Sequence, residues 1–131
     1  MHKGSCLCGA VKYEINGEPG PVMFCHCSKC RKANGSAFNA ASLVNTADLR
    51  IVSGRDHLAE FESGAGVWRV FCKTCGSPLY SRREATPESV RLRIGTLDTP
   101  LKGKPAAHIF VGSKAEWFDI CGDAPQYAGR P

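Results

Sequence analysis

The sequence contains no long apolar run. No segment approaches the roughly 18 apolar residues that a membrane-spanning helix needs. Met1 to Ser5 lead directly to Cys6, without the apolar stretch that an export signal carries. We therefore expect neither membrane insertion nor export, and we predict a cytoplasmic protein.

The sequence also lacks the composition of a disordered chain, and it contains no repeat, low-complexity tract or linker. Of its 131 residues, 43% are hydrophobic and 22% are charged, which is typical of globular proteins. A chain of this length fits one domain but not two separate cores. We predict a single domain over residues 1–131.

Basic residues are not concentrated in the sequence. The formal net charge of +5 favours an anionic partner. However, Lys and Arg are dispersed, and their clusters are short: Arg31-Lys32, Arg82-Arg83, Arg91/Arg93 and Lys102/Lys104. Nucleic-acid binding normally needs a concentrated basic face, so we expect a mixed-charge surface and no nucleic-acid partner.

Helical signals are few, whereas strand signals recur. Alternation with a period of two predicts strands at Val11–Ile15, Val67–Cys72 and Val90–Ile94. Shorter candidates are Ala37–Val44, Leu49–Ser53, Leu58–Glu62 and His108–Val111. We predict an all-β fold of short antiparallel strands, bounded by Gly, Pro, Asn and Asp turn signals.

Only one or two short helices are expected. The clearest is Ser28–Asn34, with Ser28 as its N-cap and Gly35 as its stop signal. A second helical turn is expected near Lys114–Trp117. Helix is therefore a minor component of the predicted fold.

Cysteine is abundant. Seven of the eight cysteines lie in three clusters: the N-terminal pair (Cys6, Cys8), the central triplet (Cys25, Cys27, Cys30) and the C-terminal pair (Cys72, Cys75). Thiols in a reducing compartment serve metals or chemistry rather than disulfides. Residues as close as Cys6 and Cys8 also form awkward disulfides but natural chelates. We predict that these seven cysteines are zinc ligands.

Zinc prefers four ligands, and the spacing permits two groupings. In the first, the two pairs complete a closed structural site, and the central triplet holds a second ion whose fourth position stays open, as in catalytic zinc sites. In the second, Cys27 and Cys30 join the C-terminal pair in one structural ribbon. Spacing alone does not choose between them.

Three histidines and the eighth cysteine are weaker candidates for metal ligands. His26 lies between two cysteines on an extended segment, so its side chain is expected to point to the opposite face. His57 and His108 are expected to have ordinary surface or core roles. Cys121 lies outside every motif and is expected to be a small buried apolar residue.

Five motifs spread over nearly the whole chain carry a family resemblance. They are GSCLCGAVKYEI (Gly4–Ile15), FCHCSKCRKANGSAF (Phe24–Phe38), RVFCKTCGSPLY (Arg69–Tyr80), GTLD (Gly95–Asp98) and HIFVGSKAEWFDI (His108–Ile120). Together they resemble the glutathione-dependent formaldehyde-activating enzyme family, which includes centromere-protein-V-like domains. The resemblance implies coiled antiparallel β-sheets stapled by two zinc ions. It places both pairs on a structural ion and the central triplet on a catalytic-type ion.

The resemblance also implies an activity. Members of the family are carbon–sulfur lyases that reversibly join a thiol, glutathione, to formaldehyde and give an S-hydroxymethyl adduct. The expected catalytic residues are Cys25, Cys27 and Cys30, acting through zinc. Three thiolates leave the ion formally at −1, which favours a soft sulfur ligand over water activation. The expected partners are therefore a small thiol and a small aldehyde.

Recognition of the substrate is less defined by the sequence. Lys29, Arg31 and Lys32 are the candidates for pairing with a glutathione carboxylate. No motif is assigned to glutathione itself, and we expect no long insertion that would build a substrate pocket. Two other classes remain open: a non-catalytic zinc-bound binding or scaffold module, and a metal or redox buffer.

Overall fold

The computed structural model describes residues 1–131 and consists of ten β-strands, one α-helix and four short 3-10 turns. The strands are β1 His2–Ser5, β2 Lys12–Ile15, β3 Val22–Cys25, β4 Asn39–Asn45, β5 Leu49–Ser53, β6 Leu58–Gly64, β7 Val67–Cys72, β8 Pro78–Arg83, β9 Ser89–Arg93 and β10 Ala107–Ile109. The helix α1 is Ser28–Asn34, and the 3-10 turns are Thr46–Asp48, Arg55–His57, Ile94–Thr96 and Val111–Ser113. The prediction of a β-fold with little helix is confirmed. No helix is both long and apolar enough to cross a membrane.

The strands form two sheets. The smaller has the order β1-β2-β5, and the larger has the order β10-β3-β4-β9-β8-β7-β6. All pairs are antiparallel except β10 with β3, which is parallel. The prediction of antiparallel pairing alone is therefore wrong at this edge. The chain reaches β10 through the long connection 94–106, and such a crossover permits a parallel pair that a tight hairpin does not.

The hydrophobic core joins the two sheets. Its buried members are Cys6, Val11, Tyr13, Ile15, Val44, Cys72, Leu79, Val90 and Leu92. Ile15 on β2 and Leu92 on β9 are at most 1% exposed, so the smaller sheet covers one face of the larger one. The alternation predicted for both strands supplies these inward side chains.

The opposite face of the larger sheet carries a different set of side chains. Arg69 on β7 pairs with Ser81 on β8, and Ser81 pairs with Arg91 on β9. Arg93, two residues further along β9, pairs with Ala41 on β4. Because directly paired residues point to the same side of a sheet, these arginines share the face away from the core.

Three strands were not predicted: β1, β3 and β8. β1 contains Gly4 and has too little alternation to be recognised. β3 has the sequence Val-Met-Phe-Cys. Periodicity alone cannot decide whether such a short apolar run is a strand or part of a buried helix. β8 begins at Pro78. Proline is tolerated as the first residue of a strand, but in the sequence it indicates the end of a strand or a turn.

The predicted helix is correct in its range, and its stop signal is confirmed. Gly35 ends α1 in the left-handed conformation, with φ 62°. The N-cap prediction is wrong: Cys27, not Ser28, precedes the helix with extended backbone, and its Sγ accepts a hydrogen bond from the Cys30 N–H at 3.3 Å. A sulfur thus takes the capping role that hydroxyl side chains usually have.

Candidate metal centres and an adjoining cavity

The two cysteine pairs form one compact cluster. Their four Sγ atoms all lie within 4.8 Å of one another. The Cys6–Cys8 and Cys8–Cys72 sulfur separations are 3.6 and 3.9 Å. A tetrahedral zinc ion with Zn–S bonds of about 2.3 Å requires sulfurs about 3.8 Å apart. The donor set therefore fits a closed zinc site, and we call it the four-cysteine cluster.

Local backbone turns position these sulfurs. Gly9 and Gly76 follow the two pairs, and both adopt positive φ, 79° and 81°, which glycine accepts without strain. The Val11 N–H donates to Cys6 Sγ at 3.2 Å. A hydrogen bond from the Ser77 side chain is the main cause that lowers the pKa of Cys75 to about 5. These contacts favour the thiolate form that a metal requires.

The central triplet forms a second compact group, which we call the three-cysteine cluster. Cys25 ends β3, Cys27 caps α1 and Cys30 lies in its first turn; their Sγ atoms are also within 4.8 Å of one another. Arg69 on β7 points its guanidinium at Cys30, with nitrogen–sulfur distances of 3.8 and 4.0 Å. The pKa of Cys30 is lowered to about 5, first by a hydrogen bond from Cys25 and then by other neighbours that include Arg69.

The observed grouping is the one that the family resemblance implies. The ribbon alternative is wrong for this fold, because Cys27 and Cys30 lie in a different group from the C-terminal pair. Cys121 belongs to neither group. It is also exposed, so the expectation that it is buried is wrong.

A cavity of about 450 Å³ opens beside the three-cysteine cluster, and Cys25, Cys27 and Cys30 all line it. Its volume lies within the roughly 300–1,000 Å³ of small-molecule sites. The lack of a long insertion, which the sequence predicts, therefore does not prevent the chain from forming a pocket. One face of the larger sheet, together with Ser63–Gly64, Ile109–Phe110 and Arg130–Pro131, supplies walls without a long insertion.

The lining of this cavity is strongly basic. Six cationic side chains contribute to it: Lys29, Arg69, Arg83, Arg91, Arg93 and Arg130. No Asp or Glu side chain lines it, and none of the six forms a salt bridge. Of the three predicted substrate-binding cations, Lys29 lines the cavity, whereas Arg31 and Lys32 do not.

Sequence reasoning missed the five arginines of the lining. Arg83, Arg91 and Arg93 lie in short basic clusters of the sequence, and dispersed clusters of this kind predict an ordinary mixed-charge surface. The available signal was the spacing of two between Arg91 and Arg93 within a strand, which places both on one face. The alignment of that face with Arg69 and Arg83 depends on strand order, which the sequence did not provide.

Burial and mutual repulsion act on these arginines. Burial lowers the pKa of Arg93 to about 10, and nearby Arg69 adds to the effect. Burial also lowers the pKa values of Arg83 and Arg91. The Nε atoms of Arg69 and Arg83 are buried without a hydrogen-bond partner. The cavity thus holds positive charge that no Asp or Glu side chain of its lining neutralises.

Behind the three-cysteine cluster lies a buried histidine pair. His26 Nε2 and His108 Nδ1 are 2.8 Å apart, and both rings are buried among Phe24, Phe38 and Phe118. Burial lowers the pKa of both histidines. His26 therefore points away from the cysteine sulfurs, as its place between Cys25 and Cys27 predicted.

Fold and site together define a class: a small β-protein with two separate thiol clusters, one closed and one facing a cavity. The family model described as glutathione-dependent formaldehyde-activating enzyme matches residues 1–113, and the chain belongs to this family. The family resemblance read from the five sequence motifs is thereby confirmed.

Individual relatives agree with this assignment. A Halomonas elongata protein that carries the family's name is 32% identical over 125 residues, covering 90% of this chain and 80% of its own length. An Aspergillus flavus relative of the same name is 30% identical over 126 residues, and the match covers 95% of this chain. That match spans only 57% of the fungal protein.

Two further comparisons concern chemistry and fold. A Schizosaccharomyces pombe protein described as an uncharacterized lyase is 33% identical over 79 residues, covering 60% of this chain and 56% of its own. The crystal structure of a Rhodobacter sphaeroides protein superimposes with a TM-score of 0.64 at 30% identity, over 76% of this chain and 90% of that one. The sheet arrangement therefore recurs in an experimentally determined relative.

Proposed function

We propose that residues 1–131 form one zinc-binding domain with carbon–sulfur lyase activity, which reversibly adds a thiol to a small aldehyde. Formaldehyde and glutathione are the substrates that the family's name supplies. The proposal rests above all on one observation: the three-cysteine cluster faces a cavity of small-molecule size. The four-cysteine cluster does not line that cavity, so its proposed role is structural.

Two zinc ions per chain are part of the proposal. The two cysteine pairs would hold one ion with four thiolates, and Cys25, Cys27 and Cys30 would hold the other with three. The second ion would lower the pKa of a substrate thiol and bind its sulfur in preference to water. The sulfur separations of 3.6 and 3.9 Å in the four-cysteine cluster support zinc there, and the sulfurs of the three-cysteine cluster lie within 4.8 Å of one another.

The reaction balances without any further reactant. The thiol sulfur forms a bond to the carbonyl carbon, the carbon–oxygen π bond breaks, and the thiol proton ends on the new hydroxyl oxygen. In reverse, the hydroxyl proton returns to sulfur as the carbon–sulfur bond breaks. No oxidant or reductant is consumed, which agrees with a lyase.

Residues of the cavity would position the substrates. Guanidinium groups such as Arg83 and Arg91 would bind carboxylates of the thiol through charge-assisted hydrogen bonds. Lys29, beside the cluster in the sequence, would add a further cation. Met23, Val67 and Ile109 line the same cavity and would provide an apolar surface beside the aldehyde. Holding both reactants side by side turns a bimolecular addition into a local one.

The proposal is tested by exchange at equilibrium, because thiols add to formaldehyde without a catalyst. NMR with ¹³C-labelled formaldehyde would measure the exchange rate between free aldehyde and S-hydroxymethyl adduct, with zinc-loaded protein at matched concentration. We expect the wild type to accelerate exchange and Cys27→Ser to lose the acceleration. Cys121→Ser, which removes an exposed thiol outside both clusters, is the matched control and should behave as the wild type.

A negative result would favour the other two classes. If the wild type accelerates exchange no more than Cys27→Ser for any thiol tested, the lyase proposal fails. The chain would then be better regarded as a zinc-bound binding module. A metal buffer would instead release one ion readily while remaining folded.

A further inference from the structure

Asn39, the first residue of β4, is a buried polar side chain in the wall of the cavity. It is only 4% exposed and lines the cavity. The next two residues on the same face of β4, Ala41 and Leu43, are apolar and also line the cavity. Asparagine is depleted from strands, so neither local propensity nor burial favours it here. Such departures from local preference are typical of functional sites.

The strand register places this amide beside the three-cysteine cluster. Cys25 on β3 pairs directly with Asn39 on β4. Directly paired residues point to the same side of a sheet, with Cβ atoms about 4.5–5.5 Å apart. Both residues line the cavity. Asn39 therefore lies next to the position where the substrate sulfur is proposed to bind.

The Asn39 amide makes no hydrogen bond within the protein. Its Oδ1 is buried without a partner, and its Nδ2 donates to no protein group. A buried polar group left unpaired costs about 1–3 kcal/mol. The hydroxyl of Ser42, on the same strand, instead donates to the Gly20 carbonyl at 2.9 Å. A partner for Asn39 must therefore come from the contents of the cavity.

Two other donors of the cavity are already engaged. Arg69 directs both terminal nitrogens at the Cys30 sulfur, at 3.8 and 4.0 Å. Arg93 Nη1 donates to the Arg91 carbonyl at 3.0 Å. A neutral amide carries two N–H donors and one carbonyl acceptor. Asn39 can therefore bind an oxygen of the substrate without disturbing either contact.

We propose that Asn39 is a catalytic residue whose amide N–H donates a hydrogen bond to the aldehyde oxygen. This inference rests on the proposed lyase function. When the thiol sulfur bonds to the carbonyl carbon, the π electron pair moves to the oxygen, and negative charge develops there. The amide stabilises that charge and gives up no proton, because the thiol proton is the one that ends on the oxygen. Reversal passes through the same transition state and uses the same contact.

Exchange kinetics test this role. Asn39→Leu preserves the size of the side chain and removes its hydrogen bonds. Removing one donor to a developing oxyanion typically costs roughly 100-fold to 1,000-fold in kcat. We expect at least roughly a 100-fold lower kcat for formaldehyde exchange with glutathione, and an unchanged KM for the thiol, because the contact strengthens in the transition state. A raised KM with unchanged kcat would place Asn39 on the thiol instead and overturn the proposal.

Asn45→Leu is the matched control. Asn45 lies on the same strand but is exposed, and its Nδ2 donates to Asp48 outside the cavity. This variant should exchange at the wild-type rate. An equal loss of rate in Asn45→Leu would mean that asparagine replacement on β4 acts through the strand, and it would overturn the proposal.

Stability and metal content separate catalysis from folding. Because leucine removes an unpaired polar group from a buried site, Asn39→Leu should keep its zinc content and a thermal midpoint at or above that of the wild type. Loss of zinc together with loss of rate would assign Asn39 to the scaffold and contradict the proposal. Asn39→Asp, of the same size, keeps a polar side chain but replaces the donor with a carboxylate. A wild-type rate in this second variant would also contradict the proposal.

A pair of unreactive ligands tests the hydrogen bond without turnover. S-acetylglutathione has a carbonyl oxygen on the carbon next to sulfur, where the reacting oxygen lies, and S-ethylglutathione has none. By isothermal titration the wild type should bind the acetyl compound roughly tenfold more tightly, and Asn39→Leu should bind both equally. The infrared stretch of the ¹³C-labelled carbonyl should also lie lower in the wild type than in the variant, because a donated hydrogen bond weakens that bond.

These measurements distinguish failure of this inference from failure of the lyase proposal. If the wild type catalyses exchange and Asn39→Leu matches it, the lyase proposal stands and the inference fails. If no exchange is catalysed but the preference for S-acetylglutathione depends on Asn39, the hydrogen-bonding site stands and the lyase proposal fails. The same ligand preference in wild type and Asn39→Leu would overturn the inference whatever the exchange rate.

Discussion

The two terminal guanidinium nitrogens of Arg69 on β7 lie 3.8 and 4.0 Å from the sulfur of Cys30 on α1. The contact joins β7, the second strand from one edge of the larger sheet, to the three-cysteine cluster, across 39 residues of sequence. A fixed cation at this distance favours the thiolate over the thiol. A cation of the basic cavity thus stabilises a thiolate of the three-cysteine cluster.

Replacing Arg69 tests that connection. Because the cation helps to lower the pKa of Cys30, Arg69→Gln should raise this pKa and let protons compete better with zinc. We expect the pH at which the three-cysteine cluster loses its metal to move upward, with roughly tenfold weaker zinc binding near pH 6. Competition with a chromogenic chelator across pH 5–8 would measure it.

The conservative variant sharpens the test. Arg69→Lys keeps the positive charge and should retain most of the wild-type affinity, although it loses the planar fork of the guanidinium. If Arg69→Lys and Arg69→Gln release zinc at the same pH, Arg69 affects zinc binding through its packing and not through its charge.

The metal content of the purified protein is the second prediction. We expect two zinc ions per chain, because seven clustered sulfurs form one group of four and one group of three. Elemental analysis under reducing, chelator-free conditions measures this directly. A reproducible value of one ion per chain would contradict the two-site assignment.

The two clusters should respond differently to serine substitution, which is the third prediction. Cys6→Ser and Cys75→Ser should impair folding, because the four-cysteine cluster links residues 64 or more apart and binding energy at such a site is folding energy. Cys27→Ser should remain folded with one ion lost. Serine is itself a good N-cap, so α1 should still begin after residue 27 in this variant. Thermal unfolding and zinc content measure both effects.

A fourth prediction concerns a backbone contact outside both clusters. Gly54 has φ +81°, and an added Cβ would overlap the carbonyl of Ala10 and approach Val11 Cα to 2.8 Å. Gly54→Ala should therefore lower the free energy of unfolding by about 3 kcal/mol, the sum of backbone strain and displacement of a packed segment. Urea unfolding of zinc-loaded protein provides the value.

Gly17→Ala is the control for conformational strain alone. Gly17 also has positive φ, +90°, but nothing lies within 4 Å of its added Cβ. We expect a loss of only about 1 kcal/mol at this position. Similar losses for the two variants would show that the approach of Ala10 relaxes without cost.

The sequence by itself determined those features whose causes are local. Alternation along Val67–Cys72 and Val90–Ile94 identified strands that the structure contains, and Gly35 marked the end of α1 because a left-handed cap favours glycine. The three cysteine clusters and the surrounding motifs identified the family, which the comparison confirms. Spacing by itself, however, was compatible with two groupings of the same cysteines.

The tertiary structure decided what depends on strand order and register. It brings Cys8 within 3.9 Å of Cys72, and it aligns Arg69, Ser81 and Arg91 on one face of the larger sheet. These residues are distant in sequence, and their local patterns do not encode which strand lies beside which. The basic cavity arises from that arrangement, because side chains that read as dispersed surface charge converge only when β7, β8 and β9 are paired.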